Sequence, residues 1–295
     1  MAFLSVADAA RLWGVSERTV RGYCAEGRIP GAELIGKTWA IPEDAQRPGR
    51  RPRTPARGRA LLDTLREEKA AGISGGIYHH VQIELTYNSN HIEGSRLTHE
   101  QTRLIFETNT LGVTDAVRVD DVLETANHFR CVDTIIDVAN RRLTERLIKG
   151  LHAQLKSGTT DSRKGWFAVG DYKRLPNEVG GRETTAPEEV SGRMAELITR
   201  YEALSRRTFE DIVTFHAEFE AIHPFQDGNG RVGRLVMFKE CLRNGIVPFI
   251  ITDEMKLFYY RGLAQWERER GYLLDTCRAA QDAFVELLRY FRIDG

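Results

Sequence analysis

No stretch of this 295-residue sequence is apolar enough to cross a bilayer. The longest apolar run, Ile246 to Ile251, has a proline inside it and falls far short of the ~20 residues a spanning helix needs. Met1-Ala2-Phe3-Leu4 leads straight into a polar helical pattern, with no basic start ahead of an apolar stretch. No signal peptide is readable, and the expectation is a cytoplasmic protein without a membrane role. Cysteine is scarce: Cys24, Cys131, Cys241 and Cys277 are scattered and form no CxxC pair. That argues for buried reduced thiols and against zinc or a disulfide framework. Net charge is lacking too, since 42 Lys+Arg balance 42 Asp+Glu, which excludes a uniformly basic or acidic surface.

The balance hides an asymmetry. Residues 1–60 carry 11 Lys+Arg against 6 Asp+Glu, and the remainder carries 31 against 36. A basic front end on an acidic body predicts separate jobs for the two parts, and the expected division is 1–46, a linker at 47–60, and 61–295.

In the front end Ser5 is a good N-cap with Asp8 three residues on, Val6, Ala9, Ala10 and Leu12 recur at helical spacing, and Gly14 stops the helix. Ser16 caps a second helix through Thr19, Val20 and Tyr23 that ends at Gly27. Two short helices joined by a tight glycine turn predict a helix-turn-helix. Ala32–Ile35 and Thr38–Ile41 around Gly36-Lys37 read as a hairpin wing. The following Gln46 to Arg59 interleaves six arginines with Pro48, Pro52 and Pro55, lacks apolar periodicity, and reads as a solvated tether.

From Leu61 onward amphipathic helical patterns dominate, including Val122–Ala139, Thr144–Leu155, Val190–Leu204, Phe209–Ile222, Arg231–Asn244 and Glu254–Arg268. Phe167–Thr185 is the exception, a glycine-bearing loop and short hairpin. The predicted fold is mainly α, with one β-flap. One segment carries chemistry: His223-Pro224-Phe225-Gln226-Asp227-Gly228-Asn229-Gly230-Arg231-Val232-Gly233-Arg234. Gly228 and Gly230 let the backbone turn and approach a ligand. A helix starting near Asn229 aims its free N–H groups and dipole back at that loop, which makes an anion site. Arg231 and Arg234, three apart, project from one helix face and can reach successive phosphates. Asp227 is a hard oxygen ligand of the kind Mg²⁺ shares with phosphates. His223 can be neutral at pH 7 and accept a proton.

This segment resembles the Fic family signature, HPFxDGNGRxxR, at every specified position, and the likeness extends over roughly residues 75–290. The resemblance implies an enzyme that transfers AMP from ATP to a Ser, Thr or Tyr hydroxyl of a protein substrate. His223 would be the base and Asp227 the Mg²⁺ ligand. The backbone of Gly228, Asn229 and Gly230 would form the anion hole, with the Asn229 side chain near the phosphate. Arg231 would bind the β-phosphate and Arg234 the γ-phosphate. Val179-Gly180-Gly181-Arg182 resembles the family's flap, Tyr259 the residue closing over adenine, and His152 a packed structural position. Ser89-Asn90-His91-Ile92-Glu93-Gly94 fits the family's inhibitory pattern, [S/T]xxxE[G/N], on a helix near 75–94. Ser89 and Glu93 fall on one helical face, and the resemblance implies that Glu93 pairs with Arg234, keeps the enzyme off, and positions water to remove AMP again.

The front end resembles the excisionase and MerR-like winged helix-turn-helix, which implies DNA contacts from Arg18, Arg21 and Lys37. One copy leaves a small footprint, so specific binding implies a homodimer. Two alternatives stay open: a Fic transferase of another phosphate-containing group, and a DNA-binding regulator whose Fic domain senses nucleotide. Retention of Gly228-Asn229-Gly230-Arg231 favours AMP transfer, and a pure sensor would not need His223.

Overall fold

The structure, a computed structural model, describes residues 3–25, 27–36, 38–48, 59–112 and 116–293. They fall into two compact units, Met1–Thr54 and Pro55–Gly295. Lys37 and positions 49–58, most of the expected linker, lie outside the described residues.

In the first unit α1 (Val6–Trp13) begins at Ser5, whose hydroxyl accepts the Asp8 N–H, and ends at Gly14 in the left-handed conformation. Helix α2 (Glu17–Ala25) follows the Ser16 cap, with Gly27 again left-handed just beyond it. Strands β2 (Glu33–Ile35) and β3 (Thr38–Pro42) make the expected wing. An unanticipated β1 (Phe3–Leu4) pairs with β3, which gives the sheet order β1-β3-β2. Val6, Ala9, Trp13, Val20, Cys24, Ile29 and Ile41 form a small core of their own, and burying each larger side chain stabilises by about 1.5–3 kcal/mol.

The second unit is helical. It comprises α3 (Arg59–Ala71), α4 (Ile77–Ile92), α5 (His99–Thr108), α6 (Val119–Asp137), α7 (Glu145–Leu155), α8 (Pro187–Ala203), α9 (Phe209–Ile222), α10 (Asn229–Asn244), α11 (Lys256–Gln265) and α12 (Gly271–Tyr290). The exception falls where the glycines predicted it. Strands β4 (Glu178–Val179) and β5 (Arg182–Glu183) form a hairpin whose two turn residues, Gly180 and Gly181, both have positive φ, as the tightest hairpin turns require.

One helix organises the rest. Residues 229 to 242 of α10 are buried without a break, so it is a central rod with no polar outer face. α9, α6, α7 and α4 surround it, and its N-terminus opens onto the 223–228 loop. All four cysteines are buried and free, and among the described residues no helix is long and apolar enough to cross a membrane.

Candidate active site

Helix α9 ends on His223, which caps it in the left-handed conformation (φ 52°, ψ 61°) and keeps its N–H on the Phe219 carbonyl at 2.9 Å. This conformation costs a non-glycine residue about 1–2 kcal/mol, and it turns the chain sharply at the site. The loop beyond is braced from inside. Phe225 is fully buried and stacks on His152 at 4.0 Å. Asn229 reaches back to it: its side-chain oxygen accepts the Phe225 N–H and its amide donates to the Phe225 carbonyl, each at 2.8 Å. The Asn229 side chain, expected near a phosphate, is thus taken up as a loop staple, because a buried amide must spend its donors and acceptor on partners.

His152 fixes the far side, as its packed position suggested. Its Nδ1 accepts the Gly170 N–H at 2.9 Å, so Nε2 carries the hydrogen and donates to the Asp227 carbonyl at 3.1 Å. Burial lowers its pKa to about 4. The flap is stitched to the same loop, with the Lys173 N–H on the Pro224 carbonyl (2.9 Å) and the Asn177 amide on the Phe225 carbonyl (3.1 Å). Val179 is exposed at the flap's tip beside Gly180.

The charged groups meet as a network. Arg231 binds Glu124 of α6, and its Nη2 donates to Asp227 Oδ2 at 3.1 Å. Lys156, almost wholly buried, binds Glu124, Asp161 Oδ2 at 3.1 Å and the same Asp227 oxygen at 2.7 Å. Burial would raise the Asp227 pKa, but Arg231 and Lys156 outweigh it and hold the carboxyl well below its usual range. Nothing local in the sequence marks Lys156 or Glu124, since they come from α6 and the end of α7.

The second arginine has a different partner. Arg234 donates to Glu93 Oε1 at 2.7 Å, to the Ser89 hydroxyl at 3.0 Å and to the Ser89 carbonyl at 2.9 Å. Burial works against its charge, yet other contributions, led by Glu93, more than offset this and raise its pKa. Glu93 is 27% exposed and Arg234 only 3%. The carboxylate also lies over the first turn of α10, where any side chain at Gly230 would collide with it. Gly228 has φ 86° and a side chain there would press on Leu155 at 3.3 Å, so both glycines are needed for the close approach.

Tyr259 departs from expectation. Instead of facing open space for a base, it is fully buried, its hydroxyl 2.6 Å from His216 Nε2 and 3.5 Å from Arg234 Nη1. A buried phenol needs partners for its hydroxyl, and α9 and α10 supply them. Tyr260 is the partly exposed ring of the pair, with its hydroxyl donating to the Ile92 carbonyl at 3.2 Å.

His223 itself is 17% exposed. Burial first, then the Lys173 charge, lowers its pKa to about 4, which leaves the ring neutral with a lone pair at pH 7. Burial also lowers Lys173 to about 8. For a divalent cation, no cage of three ligands exists among the described residues. Asp227, about half exposed, fits a hard cation that keeps waters and shares its remaining ligands with phosphates.

In the first unit Arg18 and Arg21 are exposed on α2, with Arg21 donating to Glu17 at 2.7 Å. Such a surface pair holds weakly.

Residues 142–241 match the model of the Fic/DOC family and residues 3–45 match that of a helix-turn-helix domain. The chain carries a Fic domain. Proteins named protein adenylyltransferase Fic are its relatives. That of Drosophila willistoni is 30% identical over 190 residues, 60% of this chain and 35% of that protein. That of Drosophila erecta is 31% identical over 192 residues, again 60% and 35%. The chain spans about a third of the length of these curated relatives. A Fic domain-containing signaling protein from Bacteroides thetaiotaomicron superposes with a TM-score of 0.64 at 26% identity, covering 79% of this chain and 91% of that one. A Fic family protein from Desulfovibrio desulfuricans gives 0.60 at 22%, covering 80% and 75%, and supports the fold alone. The Fic domain match encloses His223 through Arg234 and Lys156, while Glu93 lies before it.

Proposed function

We propose that this protein transfers AMP from ATP to a hydroxyl of a protein substrate and is held off at rest by Glu93. One observation carries the reading: an internal carboxylate sits over Gly230 at the start of α10 and is bonded to Arg234. A carboxylate occupies a place suited to any anion, because the helix N-terminus and a buried guanidinium both attract negative charge. A terminal phosphate would compete with Glu93 for that place.

With Glu93 displaced, the triphosphate lies along Arg231 and Arg234, its oxygens on the N–H groups at the start of α10. Asp227 would hold Mg²⁺, which supplies positive charge to the phosphates. His223 accepts the proton of the incoming hydroxyl, the oxygen attacks the α-phosphorus, and pyrophosphate leaves. The negative charge of bound nucleotide raises the His223 pKa toward that of a working base. The flap, bonded to the loop at Pro224 and Phe225, is an edge on which an extended target segment can be aligned. The helix-turn-helix supports a second reading for its own unit: DNA binding with α2 in the major groove, which Arg18 and Arg21 would face.

His223→Ala, made in a Glu93→Gly background, lowers transfer from labelled ATP by about a hundredfold or more. An unchanged rate would remove His223 from the role of base.

A further inference from the structure

Three buried polar atoms beside His223 have no hydrogen-bond partner, and they face one another: Glu220 Oε1, His216 Nδ1 and His223 Nδ1. Glu220 lies on α9 four residues after His216, on the same helical face, and three before His223, the left-handed cap. Its Oε2 is 4.0 Å from His223 Nδ1, and its Oε1 is 4.0 Å from His216 Nδ1. Each carboxyl oxygen addresses one imidazole.

Packing keeps the group there. Glu220 is 11% exposed, and α10 passes it at Gly233. A side chain at Gly233 would come within 2.6 Å of Glu220 Oε1 and 2.7 Å of His216 Cε1. The charged and titratable groups that face it are His216 on α9, His223 at its cap, Arg234 on α10, Glu93 beyond α4, and Tyr259 and Tyr260 on α11. His216 has committed its Nε2 to the Tyr259 hydroxyl, and its Nδ1 faces Glu220 Oε1 at 4.0 Å.

We propose that Glu220 is a positioning residue for His223: its Oε2 accepts the Nδ1 hydrogen, so that Nε2 is the nitrogen left to take a proton from the attacking hydroxyl. The inference rests on the transferase reading above. The resting separation of 4.0 Å exceeds a hydrogen bond, and contacts of this kind tighten when a site is loaded. Burial, then Glu93, pushes the Glu220 pKa up to about 8, so the carboxyl keeps one proton near neutrality. A protonated carboxyl keeps an acceptor oxygen, and Oε2 is the one that faces His223. The logic is that of any base whose second nitrogen is held by a carboxyl. No sequence motif announces it, because Glu220 is three residues outside the signature.

The test reads the tautomer directly. The full-length chain is labelled with ¹⁵N-histidine, and the His223 ring is identified by its loss in His223→Asn. Wild type and Glu220→Gln show hydrogen on Nδ1, since the amide oxygen still accepts it. Glu220→Leu moves the ring toward the Nε2–H form. In the Glu93→Gly background Glu220→Leu lowers kcat roughly tenfold or more with KM for ATP unchanged, and Glu220→Gln restores most of it. An unchanged tautomer in Glu220→Leu overturns the proposal and assigns the task to the Glu220 main-chain carbonyl, which also faces the ring. Should Glu220→Leu not fold, an Nε2–H ring in Glu220→Gln overturns it equally. The spectrum needs no turnover, so an inert Glu93→Gly enzyme would refute the transferase reading separately.

Discussion

Replacing Glu93 by glycine removes the carboxylate from Arg234 and empties the space over Gly230. Two charges about 4 Å apart interact by roughly 4 kcal/mol at an effective dielectric near 20, while fully exposed pairs contribute at most about 1 kcal/mol. Arg234 is enclosed and Glu93 is 27% exposed, so a value of about 2–3 kcal/mol is appropriate. At about 1.4 kcal/mol per tenfold, removing this competitor favours productive nucleotide by roughly thirty- to a hundredfold. Arg234 keeps Ser89 Oγ, the Ser89 carbonyl and the Tyr259 hydroxyl, and Glu93 caps α4 rather than sitting inside it. The fold therefore survives with a Tm lower by a few degrees. The assay is transfer of label from α-labelled ATP to the protein itself, read beside its circular dichroism. Glu93→Gln separates charge from bulk, since it keeps an amide over Gly230 and loses the ion pair, so its rate falls between wild type and glycine. A Glu93→Gly enzyme that is folded and no faster than wild type would refute the reasoning.

Stability has a pH signature. Burial lowers His128 and His216 to about 3, and His152 and His223 to about 4, so below about pH 6.5 the unfolded chain binds protons that the fold refuses. Stability is lost as pH falls from there toward 4, by about 1.4 kcal/mol per pH unit per ring at full effect. Glu220, raised to about 8, works in the opposite sense: its cost shrinks as pH falls toward about 4.5. The net loss between about pH 6.5 and pH 5 is on the order of 5 kcal/mol, measurable as a falling Tm, and a flat Tm would show that the rings protonate inside the fold. For the first unit, Arg18→Ala with Arg21→Ala weakens DNA binding. The loss of each groove-facing arginine costs about 1–3 kcal/mol, and an unchanged affinity in fluorescence anisotropy would take α2 out of the interface.

What could be read from the sequence is what is encoded locally. The 223–234 loop announced itself because its groups act at fixed short spacings: glycines for the turn, two arginines on one face, a histidine at a helix end. Ser89 and Glu93 were legible for the same reason, and the structure brings both to Arg234 across 141–145 residues of chain. The wing, the flap turn and the glycine stops follow from backbone rules that hold anywhere. Lys156, Glu124 and Glu220 follow no such rule, because each matters only through a neighbour delivered by packing around α10. Asn229 and Tyr259, given ligand contacts by the resemblance, also spend polar atoms on partners within the fold, as burial obliges. The resting site is consequently its own set of counter-ions, with Glu124 on Arg231, Asp227 on Lys156 and Glu93 on Arg234. Of the three carboxylates Glu93 alone pairs with a single cation, and it stands at the end of α4 rather than in α6 or the loop. On the proposed reading an entering triphosphate displaces a negative charge, and the single-partnered Glu93 is the one expected to leave.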